Sequence, residues 1–250
     1  MKLFGTLRTQ IGRIKRIFAR KWVMAVCKSI LFCSPVWAQT PELVKDINTQ
    51  PEISSPTFKI LAIGSNVFFT QDDGIHGCEL WKSDGTAAGT MLLKDIRLGG
   101  RGSDPHNLVN INGVLYFVAD NGINNAELWK SDGTTAGTVL VKDVWPGGVS
   151  SNENWLTNVN GTLFFAADAG VDAVELWKSD GTAAGTVQVK DIYAGSGNHS
   201  YPSWLTNLNG TLFFTANDGS SGNELWKSNG TAAGTTRVKD VRAGAMGASI

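Results

Sequence analysis

The sequence predicts an all-β chain, a β-propeller of four four-stranded blades, and three observations carry that reading. Glu-Leu-Trp-Lys-Ser recurs at Glu79, Glu127, Glu175 and Glu224, at spacings of 48, 48 and 49 residues. Each unit consists of short apolar runs separated by turn residues, and after the N-terminal leader no segment has helical periodicity. The second run of each unit, such as Leu163-Phe164-Phe165-Ala166-Ala167, is apolar without alternation. A strand of that kind needs cover on both faces of its sheet, as between stacked blades; a sandwich strand alternates and leaves one face in water.

The chain opens on a basic leader, Lys2, Arg8, Arg13, Lys15, Arg16, Arg20 and Lys21, followed by a mostly apolar run over residues 22–32 and by Val36-Trp37-Ala38. A basic stretch, an apolar stretch and a small-residue cleavage site are the layout of a signal peptide, assigned to residues 1–38. Lys28 interrupts the run, which is shorter than the roughly 20 apolar residues of a membrane span, so export without an anchor is expected. Cys27 and Cys33 leave with the leader, and Cys78 alone cannot form an intramolecular disulfide. The full chain has 22 basic and 22 acidic side chains, but eight of the basic ones lie in the leader. Residues 39–250 therefore carry 14 against 22, a net charge of −8, which excludes a non-specific nucleic-acid binder.

Residues 39–57 are a leading strand and linker, residues 58–241 the four blades, and residues 242–250 the remnant of a further repeat. In the third unit strand a covers residues 155–159, b 162–168, c 174–179 and d 186–192. Asn160-Gly161 joins a to b as a type I′ turn, and Gly64-Ser65 in the first unit suits type II′. Strand d alternates and carries a lysine in every copy, as a protected edge does. Counting along the c–d hairpin pairs Ser83 with Thr90 and sets Glu79 opposite Lys94, with Glu127–Lys142, Glu175–Lys190 and Glu224–Lys239 equivalent. Leu43-Val44-Lys45-Asp46-Ile47 reads as an additional strand d ahead of the first unit. Two closures follow: an incomplete ring, in which that strand belongs to a blade whose other strands are absent, or a closed four-bladed ring carrying it outside the last strand. The incomplete ring is the more economical.

ELWKSDGTAAGT, ELWKSDGTTAGT, ELWKSDGTAAGT and ELWKSNGTAAGT resemble the ELWxxDGT-repeat family, with a departure at Asn229, where the family has Asp. The resemblance covers residues 43–250. It implies an exported or surface-attached bacterial protein of propeller-like fold, secreted, periplasmic or on the cell surface, and it implies no reaction.

The repeated Asp-Gly of the c–d loops, Asp84-Gly85 and its equivalents, is expected to shape a turn, and the repeated Trp to pack between blades. A second acidic set in the b–c loops, Asp72, Asp73, Asp120, Asp168 and Asp218, offers hard oxygen ligands for Ca²⁺, although Asx turns explain these residues equally; no other cofactor is expected. The d–a connections vary most, and function gathers in variable loops. Arg97, Trp145, Tyr193 and Arg242 hold equivalent positions there as candidate ligand contacts, Trp145 and Tyr193 by stacking on sugar rings or by covering the blade edge. Trp155 and Trp204 are expected in the core.

The histidines His76, His106 and His199 lie at non-equivalent positions without metal-ligand spacing, and neither a Gly-x-Ser-x-Gly elbow nor a phosphate loop occurs. The expectation is therefore of no enzyme, but of a binding or adhesive module for carbohydrate or another protein. The rivals are a structural surface repeat without a specific ligand and, last, a propeller hydrolase.

Overall fold

The computed structural model describes residues 42–48, 60–147, 150–151, 153–170 and 174–241. The leader, the linker over residues 49–59 and residues 242–250 lie outside the described residues. Contacts divide the chain into Met1–Glu42 and Leu43–Ile250, and the architecture below belongs to the second unit.

Among the described residues sixteen strands form four antiparallel sheets, each in the order a-b-c-d. Blade 1 holds β1 (Ile60–Ile63), β2 (Asn66–Asp72), β3 (Cys78–Ser83) and β4 (Met91–Lys94). Blade 2 holds β5 (His106–Ile111), β6 (Val114–Asp120), β7 (Ala126–Ser131) and β8 (Val139–Lys142). Blade 3 holds β9 (Asn154–Val159), β10 (Thr162–Asp168), β11 (Val174–Ser179) and β12 (Val187–Lys190). Blade 4 holds β13 (Ser203–Leu208), β14 (Thr211–Asn217), β15 (Asn223–Ser228) and β16 (Thr236–Lys239). These sheets are the blades of a β-propeller, as the repeat predicts. The Asn-Gly hairpins have positive φ at both central residues, 52° at Asn160 and 85° at Gly161, as type I′ requires.

The core lies between sheets. Phe68, Leu80, Leu93 and Ile96 of blade 1 meet Leu115, Phe117, Ala119 and Trp129 of blade 2. The same arrangement joins blades 2 and 3 around Leu128, Phe165 and Trp177, and blades 3 and 4 around Leu176, Phe214 and Trp226. Both faces of the second strand are thus buried, which explains its unbroken apolar run. Lysines pin the joints. Lys94, Lys142 and Lys190 donate from Nζ to the carbonyls of Thr138, Thr186 and Thr235 on the next blade, at 2.7–2.9 Å. Each also lies 5.6–5.9 Å from the ring centre of that blade's tryptophan, within cation–π range.

The blades form an open series. First strands touch in succession, β1 on β5, β5 on β9 and β9 on β13. Among the described residues no apolar core joins blade 4 to blade 1, so the closed four-bladed arrangement is not adopted. Residues 43–47 do not pair as a strand, contrary to expectation. Lys45 nevertheless donates to the Thr90 carbonyl at 2.8 Å, the bond that Lys94 makes one blade later.

Candidate functional site

One rim of the array carries the a–b hairpins and the c–d loops, and its chemistry is the same in every blade. Asp84 Oδ1 accepts from the Thr86 amide and hydroxyl, Thr86 Oγ1 accepts from the Gly89 amide, and Ser83 Oγ meets Thr90 Oγ1 at 2.6 Å. Asn229 Oδ1 makes the same bonds to Thr231 in blade 4. Asp84, Asp132 and Asp180 are held below the ordinary aspartate value by the threonine hydroxyl and then by its amide. The repeated segment is thus a self-satisfied turn, as the sequence suggests.

The opposite rim carries the b–c and d–a loops, and there the blades differ. The ELW glutamates are the anchors. Glu79 accepts from the Arg97 amide and the Ser103 hydroxyl, and Glu175 from the amides of Ile192 and Ser200 and the Ser200 hydroxyl. Each carboxyl is buried inside its own blade and fastens the d–a connection. The expected Glu–Lys opposition is therefore wrong. A bulge between Leu80 and Trp81 brings Lys94 opposite Leu80, and equivalent bulges occur in the other blades. One extra residue turns the lysine toward the neighbouring blade and leaves the glutamate facing the loop. Burial raises the carboxyls of Glu79 and Glu127, and pushes Glu175 up to about 7.

Blade 2 adds a second buried acid. Ser151 Oγ lies 2.7 Å from Glu127 Oε2 and 2.6 Å from Glu153 Oε1. A hydroxyl has one proton to donate, so one of these contacts requires a protonated carboxyl. Burial, and then the adjacent Glu127 charge, hold Glu153 well above the usual carboxylate range, and burial raises Glu127 as well.

The d–a candidates brace the next blade. Arg97 pairs with Asp120. The Trp145 ring lies over Gly170, where a Cβ would come within 2.6 Å of it, and the Tyr193 ring lies over Gly219. Both rings are half-buried, the arrangement of a covered blade edge. Arg242 lies outside the described residues.

The b–c aspartates each shape their own loop. Asp72, Asp120 and Asp168 accept from the amides of Gly74, Gly122 and Gly170. Asp73 accepts from the Ile75 and His76 amides, with its second oxygen 2.7 Å from His76 Nδ1. Asp218 accepts from the Ser220 and Ser221 amides and from Arg237. Burial works to raise the Asp73 and Asp218 carboxyls, but these bonds outweigh it and both titrate below the ordinary value. Among the described residues no three His, Cys, Asp or Glu side chains converge as a metal site.

The residues that sequence reasoning misplaced are Trp155 and Trp204. Both are exposed on this rim, Trp204 at 63%, and their ring centres lie 4.7 Å apart at 46°. Tyr201, 58% exposed, stacks on His199 beside them. A bulge at the start of strand a turns the indoles out: Trp155 and Leu156 together oppose Phe165, and Trp204 and Leu205 oppose Phe214. The first residue of each bulge has left-handed φ, 60° at Trp155 and 58° at Trp204, a conformation that bulky side chains rarely hold. Thr157 and Thr206 donate to the Trp155 and Trp204 carbonyls and fix the bend. Blade 2 has Asn107 at this position, with φ 54°. An exchange of Trp for Asn was the available signal, because a core position does not tolerate it. On the same rim, between blades 1 and 2, a cleft of about 600 Å³ opens beside Arg97, Leu98 and Ile123.

No family model matches the chain, and no curated relative matches it. Solved structures do. A puromycin hydrolase S511A mutant is 17% identical, with a TM-score of 0.45, over 71% of this chain and 28% of its own. The Bacteroides ovatus xyloglucan PUL GH43B protein is 15% identical, TM-score 0.34, over 70% of this chain and 38% of its own. The exo-beta-1,3-galactanase of Phanerochaete chrysosporium is 13% identical, TM-score 0.38, over 74% and 50%. The chain thus spans half or less of these proteins, and the likeness shows the β-propeller fold alone. It also corrects the expectation of a chain without enzymatic activity. Hydrolases stand among the similar structures, beside the computationally designed Ika4 protein, so the expectation of no enzyme does not hold, and none of them assigns an activity to this chain. Repeats need not place only like groups around a series of blades: the d–a loops bring unlike residues, Pro105, Glu153 and Pro202, to equivalent places. Among the described residues no helix is long and apolar enough to cross a membrane.

Proposed function

We propose that this propeller is an exported carbohydrate-binding module of the ELWxxDGT-repeat kind, with Trp155 and Trp204 as its platform. The observation that carries the reading is this exposed pair. Both indoles reach water on the variable rim, Trp204 at 63% exposed and Trp155 at 38%, each held in a left-handed conformation that costs roughly 1–3 kcal/mol. Strain of that size persists where surrounding structure enforces it. An indole presents a flat apolar face suited to the C–H face of a pyranose ring, and a polar edge. Tyr201 extends the aromatic surface, and the side chain of Asn107 reaches the Glu153 carbonyl at 3.2 Å, so polar groups flank the platform. The acidic body, −8 over residues 39–250, disfavours the other polymer that stacks on aromatics, single-stranded nucleic acid.

A glycan array probed with the purified protein and with the Trp155→Ala/Trp204→Ala double variant tests this. Retention on a subset of glycans, lost in the variant, is the expected result. Equal retention of both proteins, or retention of neither, counts against it.

A further inference from the structure

The three joints between blades are one interface repeated, and blade 4 presents its first half a fourth time. In blade 3 that half consists of Val159, Phe164, Leu176, Val189 and Ile192, all buried against blade 4. The equivalent residues of blade 4 are Leu208, Phe213, Leu225, Val238 and Val241. Leu225 is 39% exposed where Leu176 is 0%, and Val241 is 67% exposed where Ile192 is 7%. Leu208 and Val238 are exposed likewise. The lysines follow suit. Lys178 and Lys190 donate to the Gly230 and Thr235 carbonyls of blade 4, whereas their equivalents Lys227 and Lys239 find no acceptor among the described residues.

The second half of the interface is presented by blade 1. Val67 and Phe69 stand half-buried where Leu115 and Phe117 of blade 2 receive blade 1; Trp81, equivalent to Trp129, is already buried at 6%, and Ile60, at the position of Leu108, is 67% exposed. The Thr90 carbonyl, which a preceding blade's lysine would reach, is taken by Lys45. Residues 43–47 repeat the sequence pattern of a fourth strand without pairing as one. Through Lys45 they stand in for a neighbouring blade at the Thr90 carbonyl.

We propose that blade 4 of one molecule docks on blade 1 of a second copy of this chain, continuing the blade series head to tail. Lys239 then replaces Lys45 at the Thr90 carbonyl, and Leu225, Val238 and Val241 bury against Phe69 and Trp81 as Leu176, Val189 and Ile192 do against Phe214 and Trp226. The contact is heterologous, with different surfaces on the two partners, so it does not close at a dimer.

Sedimentation velocity of the full chain over a hundredfold concentration range tests the proposal. Average mass should rise with concentration past the dimer. Leu225→Lys should abolish the rise by blocking blade 4, and Ile60→Lys by blocking blade 1. Both positions are exposed, so unchanged melting temperatures will confirm that the variants fold. Mixing the two variants should restore a dimer and nothing larger, because one free face of each kind remains. A chain that stays monomeric throughout overturns the proposal. So does association that survives Leu225→Lys, or an Ile60→Lys variant that dimerises by itself, which would show blade 4 pairing with blade 4.

Discussion

The two rims of the array are built from the same four sheets and have opposite chemical characters. On the c–d rim, Asp (Asn229 in blade 4), Thr, Ser and Gly repeat and satisfy one another within each turn. On the d–a rim the anchor is constant as well, a buried glutamate holding the equivalent serines Ser103, Ser151 and Ser200, but its surroundings differ: Arg97 pairs with Asp120 after blade 1, Glu153 joins Ser151 after blade 2, and His199 stacks on Tyr201 after blade 3. The exposed aromatics stand on this second rim. Repetition in this protein therefore marks what holds blades together, and a recognition surface is to be sought where repetition fails.

The anchors provide the largest expected effect. A carboxyl moved from 4.5 to about 7 binds its proton more tightly in the folded state, so Glu175 contributes stability below about 4.5 that is lost as pH rises through about 7. The full loss is on the order of 3 kcal/mol. Glu79, Glu127 and Glu153 shift in the same direction. Thermal melts between pH 4.5 and 8 should show stability falling with pH across that window, and Glu175→Gln should flatten part of the slope. A slope of the opposite sign would break the assignment of the anchors.

On the constant rim the close approach of Gly185 to Asp180 leaves no space for a side chain, since a Cβ would lie 2.1 Å from the Asp180 carboxyl carbon. Gly185→Ala should cost about 1–3 kcal/mol by chemical denaturation and leave binding on the other rim untouched. Smaller again is the change at Asp180. Asp180→Ala removes the acceptor of the Thr182 amide and hydroxyl and should lower the melting temperature by a few degrees. Asp180→Asn should be nearly silent, because Asn229 already fills the role in blade 4. An Asn variant as damaging as Ala would mean that the charge matters and the turn does not.

The architecture was legible because its signals are local and repeated. Residues 162–168 and 174–179 are the second and third strands of blade 3 as expected, and the Asn-Gly turns declare the left-handed pair that type I′ demands. The misreadings share one cause. A bulge between Leu176 and Trp177 defeats strand counting for Glu175 and Lys190, and a bulge opposite Phe165 turns Trp155 out of the core. Bulges are set by packing against neighbouring strands and have no composition of their own when the left-handed residue is Trp and not Gly. Glu153 was passed over because nothing in the sequence brings it beside Glu127; the d–a connection does so in space.

The smallest expected effect on stability falls on the platform itself. Replacing Trp155 and Trp204 by alanine, which keeps the Cβ and hence the left-handed strain, should leave stability within about 0.5 kcal/mol of the parent. The same pair provides the most direct measurement of the central claim, that the d–a rim is a carbohydrate platform. Tryptophan emission is followed while soluble β-1,3- and β-1,4-linked hexose polysaccharides are titrated into the protein and into the Trp155→Ala/Trp204→Ala variant. The expected result is a saturable emission change in the parent, with at least one polysaccharide, that is absent from an equally stable variant. No response in the parent, or the same response in both, contradicts the account.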